Sequence, residues 1–255
     1  MPYPNDVLST RAAIKHGNYT VVPPTGLVNN VIPGIDGCRV SIVASPKMGA
    51  SFVQYMVTVP SGCGTSRPFG QNEGVETFVY VISGAGSFKT GGQTYAAPQG
   101  AYLFSPPGQG LEFINTNDED MFLLLYKQRY IKAEQTPQPG VCYGNVNDIA
   151  YREYDGMSNV FVKDLLPLEL SFDMNFHILS FAPGGCHPFV ETHVQEHGAY
   201  ILQGEGCYYL GGEWMMIKKE DFVWFGPFTT QAAYGVGREP FTYIYSKDCN
   251  RDVDI

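Results

Sequence analysis

Six cysteines (Cys38, Cys63, Cys142, Cys186, Cys207 and Cys249) are scattered along 255 residues without one C-x-x-C pair. That spacing excludes a zinc ribbon and, in a chain of this length, argues against a disulfide frame; the thiols read as reduced and incidental. Basic charge is scarce too: 16 Lys and Arg stand against 25 Asp and Glu, a formal charge of −9. Beyond the isolated pair Lys218-Lys219 there is no basic patch, so no nucleic-acid partner is expected. No stretch approaches 18 consecutive apolar residues, and the opening MPYPNDVLSTRAAIKHGNY lacks the apolar core of a signal peptide. Neither export nor membrane insertion is expected, which leaves a cytoplasmic protein acting on a small molecule. Helix-compatible runs are few and short: only Val7–Lys15 and Lys163–Leu168 qualify.

What the chain does have is turns and rings. Gly 29, Pro 18 and 14% aromatics accompany only 16% charged residues, against roughly 25% in an average soluble protein. Short strands, tight connections and much buried aromatic surface follow, in barrels or between subunits of a homo-oligomer. An internal repeat refines this. Val75–Gly84 resembles Gln195–Gly204 at a shift of 120, which also carries Gly86 onto Gly206, Gly91-Gly92 onto Gly211-Gly212 and Pro107 onto Pro227. Upstream, Ser51-Phe52 falls on Ser171-Phe172 and Gly64 on Gly184, with no gap between Gly64 and Leu111. Each copy alternates apolar runs of four to eight residues with Gly, Pro and Asn, the pattern of consecutive antiparallel strands. The expected fold is all-β, two tandem jelly-roll barrels. The first unit is 1–135, including a segment of some 30 residues that precedes the repeat; 136–153 is the connection and 154–255 the second barrel.

Histidine is the sharpest anomaly. Three of the five, His187, His193 and His197, fall within eleven residues. Glu191 and His193, two apart, share a face if the segment is extended. His197 follows after a turn's length, and Gln231 comes just after the turn Gly226-Pro227-Phe228-Thr229. This Gly-led string, closed by Gly204, resembles the first cupin motif, with Glu191 and His193 at its usual His-x-His and His197 at its usual Glu. Gln231 stands where the second cupin motif carries a His. The resemblance implies a bicupin whose second barrel holds a metal through Glu191, His193, His197 and Gln231, with His187 left as a loop or surface residue. Two imidazoles, a carboxylate and an amide oxygen suit Mn²⁺ or Fe²⁺ better than a closed zinc site. The same shift gives Gln71, Glu73, Thr77 and Leu111 in the first barrel, which should be metal-free and structural.

The likeness goes further. Arg11–Asn18, Glu191–Tyr200 and Tyr243–Asp252 resemble the bacterial (S)-ureidoglycine aminohydrolases along nearly the whole chain. That family implies Mn²⁺-dependent replacement of an amino group by hydroxyl in purine (allantoin) breakdown. It implies that Tyr208, Tyr243 and Lys247 contact substrate, and that Lys247 transfers protons. From the residues themselves, alternation places Tyr243, Tyr245 and Lys247 on one strand face, and Lys127 occupies the matching place in the other repeat. Two alternatives stay open on ligand type. Two histidines and a carboxylate also serve non-haem Fe(II) oxygenases, and a binding cupin could use the metal only to capture a carboxylate.

Overall fold

The computed structural model describes residues 9–253. Among them the regular structure is almost entirely strand, with two 3-10 turns at Pro24–Gly26 and Val146–Asp148. Neither helix-compatible run is a helix over its described residues. Val7 and Leu8 lie outside the described residues, Ala13–Lys15 is a strand paired with Tyr19–Val22, and Lys163 and Asp164 end the strand Met157–Asp164. Runs this short do not sustain a helix alone, and each has a strand edge at hand to satisfy its backbone.

The first repeat folds as a six-stranded sheet facing a five-stranded one. Val40, Val57, Val79, Leu103 and Leu123 of the larger sheet meet Ile35, Phe88, Ala97 and Phe113 of the smaller in one core. The second repeat builds an eight-stranded and a three-stranded sheet around Val162, Leu179, Ala199, Ile201, Tyr208, Ile217 and Phe241. Gly84 and Gly204 mark the same tight turn in the two copies. Both have φ above 70°, and a Cβ there would clash with the backbone oxygens of Asp120 and Pro240 respectively.

A third core lies between the barrels, where the two large sheets pack face to face. Phe78, Tyr80, Phe104, Leu124 and Tyr126 pack there with Phe176, Ile178, Tyr200, Trp224 and Ile244. Phe78 stacks on Phe176 at 3.8 Å between centroids. Strand alternation makes this possible: on Met121–Arg129, Leu123 and Leu125 enter the barrel while Leu124 and Tyr126 enter the interface. Central strands are therefore apolar on both faces.

Two segments cross the boundaries drawn from composition. Tyr19–Val22, within the expected first unit, pairs with Phe222–Phe225, so the leading segment extends the second barrel's sheet. Arg11 clamps Asp221 through two 2.6 Å hydrogen bonds, and the Tyr19 hydroxyl donates to Glu213 at 2.8 Å. The expected connection 136–153 is also partly built in: Cys142–Asn145 pairs with Ala101–Ser105 on the first barrel. All six cysteines are free. No helix among the described residues is long and apolar enough to cross a membrane.

Two carboxyls sit near each other in the contact between barrels. Gln128 Nε2 donates to Glu76 Oε1 at 2.7 Å and to Asp173 Oδ1 at 3.4 Å, while the Ile131 N–H donates to Asp173 Oδ2 at 2.6 Å. Burial first, and Asp173 second, push Glu76 well above the usual carboxylate range, with Arg251 opposing. A carboxyl raised in the folded state stabilises the fold below its ordinary pKa and loses that contribution as pH climbs through the raised value. Glu76→Gln keeps the acceptor for Gln128 and cannot ionise. Its melting temperature, relative to the native chain's, is expected to rise in calorimetry as pH climbs above the ordinary carboxylate range. A constant difference would show that Glu76 is ionised throughout.

Candidate metal centre

The segment 182–196 is not a regular strand. It is stitched to Gln231–Val236 by isolated bridges, Cys186 to Tyr234 and Glu191 to Gln231. Glu191 and Gln231 exchange two backbone hydrogen bonds of 2.9 Å, and the Phe228 N–H donates to the His193 carbonyl at 2.7 Å. Glu191 and His193 are thus brought together by bridge and turn, whereas His197 opens the strand His197–Gln203. The Gln231 amide nitrogen lies 2.8 Å from Glu191 Oε1 and 3.2 Å from His193 Nε2, and the two imidazole Nε2 atoms are 3.4 Å apart.

The other ring nitrogens settle the tautomers. His193 Nδ1 lies 3.0 Å from the Gln195 carbonyl and His197 Nδ1 2.9 Å from the Ser246 carbonyl. Carbonyls only accept, so both Nδ1 atoms carry the proton and both Nε2 atoms present lone pairs, that of His193 accepting from the Gln231 amide nitrogen at 3.2 Å. Burial lowers the pKa of both rings, His197 well below the usual value, so both are neutral near pH 7. Burial also raises Glu191, with Lys247 opposing. Two unprotonated imidazole nitrogens beside a carboxyl group form a donor set that a cation would satisfy. Among the described residues no three His, Cys, Asp or Glu side chains form a metal-binding group by themselves; the amide of Gln231 stands beside Glu191 and His193 as a further candidate donor. Its Oε1 now accepts from the Tyr208 hydroxyl at 2.9 Å. Turning the amide over exchanges oxygen for nitrogen at unchanged shape, and presents the oxygen to the Glu191–His193 side.

A pocket of about 240 Å³ contains the four donor residues together with Tyr208, Tyr243, Tyr245 and Lys247. The strand Phe241–Asp248 presents the last three on one face, as alternation requires. Lys247 sits directly across from His197 in the ladder. Its ammonium has no ion pair or hydrogen bond among the described residues. Burial pushes Tyr208 and Tyr243 upward, which keeps their hydroxyls protonated.

Two further histidines stand near the site: His187, expected in a loop or on the surface, and His177, to which the sequence reading gave no role. His187 is not a surface residue: it is 4% exposed, lines the pocket, and packs edge-on against Phe181 at 5.1 Å. Gly184-Gly185 before it and Pro188 after it suggested an exposed turn, but the bridge at Cys186 draws the segment inward. Burial brings its pKa down to about 4. His177 stands behind Tyr245, its Nδ1 2.8 Å from Asp164 Oδ1, and Arg152 holds that carboxylate in turn. Their only sequence signal is histidine scarcity.

The first barrel corrects the repeat. Past Thr77 the shift of 120 holds, since Thr77 pairs with Lys127 as His197 pairs with Lys247. Upstream it is 122: Gly64 bonds to Ile114 as Cys186 does to Tyr234, and Phe69 bridges Leu111 as Glu191 bridges Gln231. Two extra residues therefore lie between Gln71 and Thr77, and the matches of Gly64 with Gly184 and Ser51-Phe52 with Ser171-Phe172 are coincidental. The counterparts of the four donors are Phe69, Gln71, Thr77 and Leu111, and Glu73 drops out. Phe69 and Leu111 join the hydrophobic core, and Gln71 is exposed.

Comparisons with known proteins agree with this architecture. A family model described as "Cupin domain" matches residues 55–126, within the first barrel. An (S)-ureidoglycine aminohydrolase of Escherichia coli (strain K12) is 51% identical over 254 residues, covering 99% of this chain and 97% of that protein. The crystal structure of the E. coli protein Ylba superposes with TM-score 0.88 at 48% identity, over 100% of both chains. Bacillus subtilis oxalate decarboxylase, described with Mn(II) centres, shares the fold at TM-score 0.66 and 10% identity, over 95% of this chain and 80% of that one.

Proposed function

The chain belongs to the (S)-ureidoglycine aminohydrolase family, and we propose that it hydrolyses (S)-ureidoglycine to (S)-ureidoglycolate and ammonia in purine breakdown, with Mn²⁺ held by Glu191, His193, His197 and Gln231. The carrying observation is the pair of unprotonated Nε2 atoms, 3.4 Å apart, in a pocket shared with Glu191, Gln231 and Lys247, whose ammonium has no ion pair among the described residues.

When bound there, the ion would supply Lewis acidity and a charged anchor for the substrate's carboxylate and amine. The remaining work falls to side chains. Hydrolysis breaks the C–N bond to the amino group, forms a C–O bond to water, and moves a water proton onto the departing amine. Lys247 Nζ is the group assigned to carry that proton. With the Gln231 amide turned over, the Tyr208 oxygen accepts from its nitrogen, which frees the Tyr208 proton, like that of Tyr243, to orient the substrate as a neutral donor. Leu179, Ala199 and Phe225 give the wall its apolar part.

The test uses protein stripped by chelator and reloaded with Mn²⁺, Fe²⁺ or Zn²⁺, assayed for ammonia from fresh ureidoglycine without oxygen. Mn²⁺ is expected to restore release. Absence of ammonia, or a requirement for O₂ with Fe²⁺, would sink the assignment in favour of a binding or oxygenase role.

We further propose a cytoplasmic homo-oligomer with neither nucleic acid nor membrane as partner. Exposed Phe189, Val190 and Phe228 support self-association, since they stand 62, 48 and 67% open on the segments carrying Glu191 and Gln231. The mass in solution by light scattering decides it.

A further inference from the structure

His187 carries more than a packing role. The Ala233 N–H donates to its Nδ1 at 3.1 Å. A backbone N–H has no alternative but to donate, so Nδ1 is bare and the neutral ring must hold its proton on Nε2. That Nε2–H finds no hydrogen-bond partner among the described residues and is not sealed from the cavity, although the residue is 4% exposed and part of the pocket wall. The pocket wall thus holds a neutral imidazole anchored through Nδ1, with an Nε2–H donor that has no partner among the described residues.

The other barrel serves as an internal control. With the corrected register, His187 corresponds to Thr65 and Ala233 to Phe113. Thr65 Oγ1 accepts the Phe113 N–H at 3.0 Å, as His187 Nδ1 accepts that of Ala233. The backbone requirement is therefore met by a small hydroxyl. What the imidazole adds is the far nitrogen in the pocket.

We propose that His187 Nε2–H is the specificity-determining donor for the ureido carbonyl oxygen of the substrate. Charge decides between the substrate's two acceptors. The carboxylate is drawn to the cationic side, where Lys247 stands. His187 packs instead on Phe181, which pairs with Phe241, six residues along the strand from Lys247. A neutral donor there matches a neutral carbonyl, and leaving it unpaired in a buried wall penalises molecules that lack one.

This inference rests on the proposed hydrolysis, and its test separates the two. The probes are N-carbamoylglycine, which has carboxylate and ureido groups, and glycine, which has no ureido group. They are titrated calorimetrically into the Mn²⁺-loaded native chain and into His187→Thr, which copies Thr65. The variant is expected to bind N-carbamoylglycine about tenfold more weakly and glycine within twofold of native. Its KM for ureidoglycine should rise about tenfold with kcat within threefold, and His187→Gln, which restores a donor, should recover part of the loss. Equal losses for both probes, or none for either, overturn the role of His187. If the native chain releases no ammonia, the hydrolysis itself is wrong. Should His187→Thr not fold, imidazole ¹⁵N–¹H spectra of the native chain decide: N-carbamoylglycine must shift the His187 Nε2–H resonance and glycine must not.

Discussion

His197→Ala is expected to lose bound manganese and at least roughly 10³-fold in kcat/KM, about 4 kcal/mol of transition-state stabilisation. The ring is 4% exposed and held on every side. Its Nδ1–H donates to the Ser246 carbonyl, and its faces and edges meet Phe225, Tyr245 and His193 at 4.9 to 5.0 Å. So little freedom means that Nε2 is directed at His193 Nε2 by packing, before any ion is present. Alanine removes one of two imidazole donors and leaves a void no neighbour can fill without moving. Metal content by plasma emission and ammonia release from the same samples check the claim together. Full metal content with unchanged turnover would remove His197 from the ligand set. Loss of metal at unchanged turnover would remove the metal from the reaction.

How much of this site was legible follows from where each signal resides. Glu191, His193, His197 and Gln231 could be picked out because histidine is rare and the spacing resembles a known motif. Their convergence nonetheless depends on the bridge at Glu191 and the turn at Phe228, which no local pattern shows. Alternation exposed the barrels, since strands such as Phe241–Asp248 send one set of residues inward. It could not show the third core, because Leu123-Leu124-Leu125 reads as one apolar run whether its alternate residues meet one core or two. The gapless repeat failed for a comparable reason. Glycine and Ser-Phe matches upstream outweighed a two-residue insertion in an exposed loop, and only ladder pairing revealed Phe69 opposite Leu111. Burial of His187 and the crossing of Tyr19–Val22 are set by contacts between residues far apart in the chain. Composition is silent on the first; for the second, a leading segment that precedes the repeat already points to packing across a domain or subunit face.

Lys247→Met should lower kcat by roughly 10²- to 10³-fold, within the range of a positioned proton-transfer group, while manganese content stays at the native level. Methionine keeps the length of the chain and removes its charge and its proton. The control is Lys127→Met, expected to leave kcat within about twofold, because Lys127 holds the same ladder position in the other barrel. Lys127 Nζ lies over Phe69 and Tyr55 at 5.2 and 5.8 Å from the ring centroids, among rings rather than ligands. A lysine at this position is thus compatible with the fold whether or not chemistry surrounds it, and position alone assigns no role. The difference lies across the strand: Lys127 faces Thr77, whereas Lys247 faces His197 and shares its pocket with Glu191. The split between kinetic constants then separates two uses of one ammonium. A fall in kcat at nearly constant KM identifies a proton carrier. A rise in KM at constant kcat identifies an anchor for the substrate carboxylate, and would leave the proton to water or to a tyrosine hydroxyl.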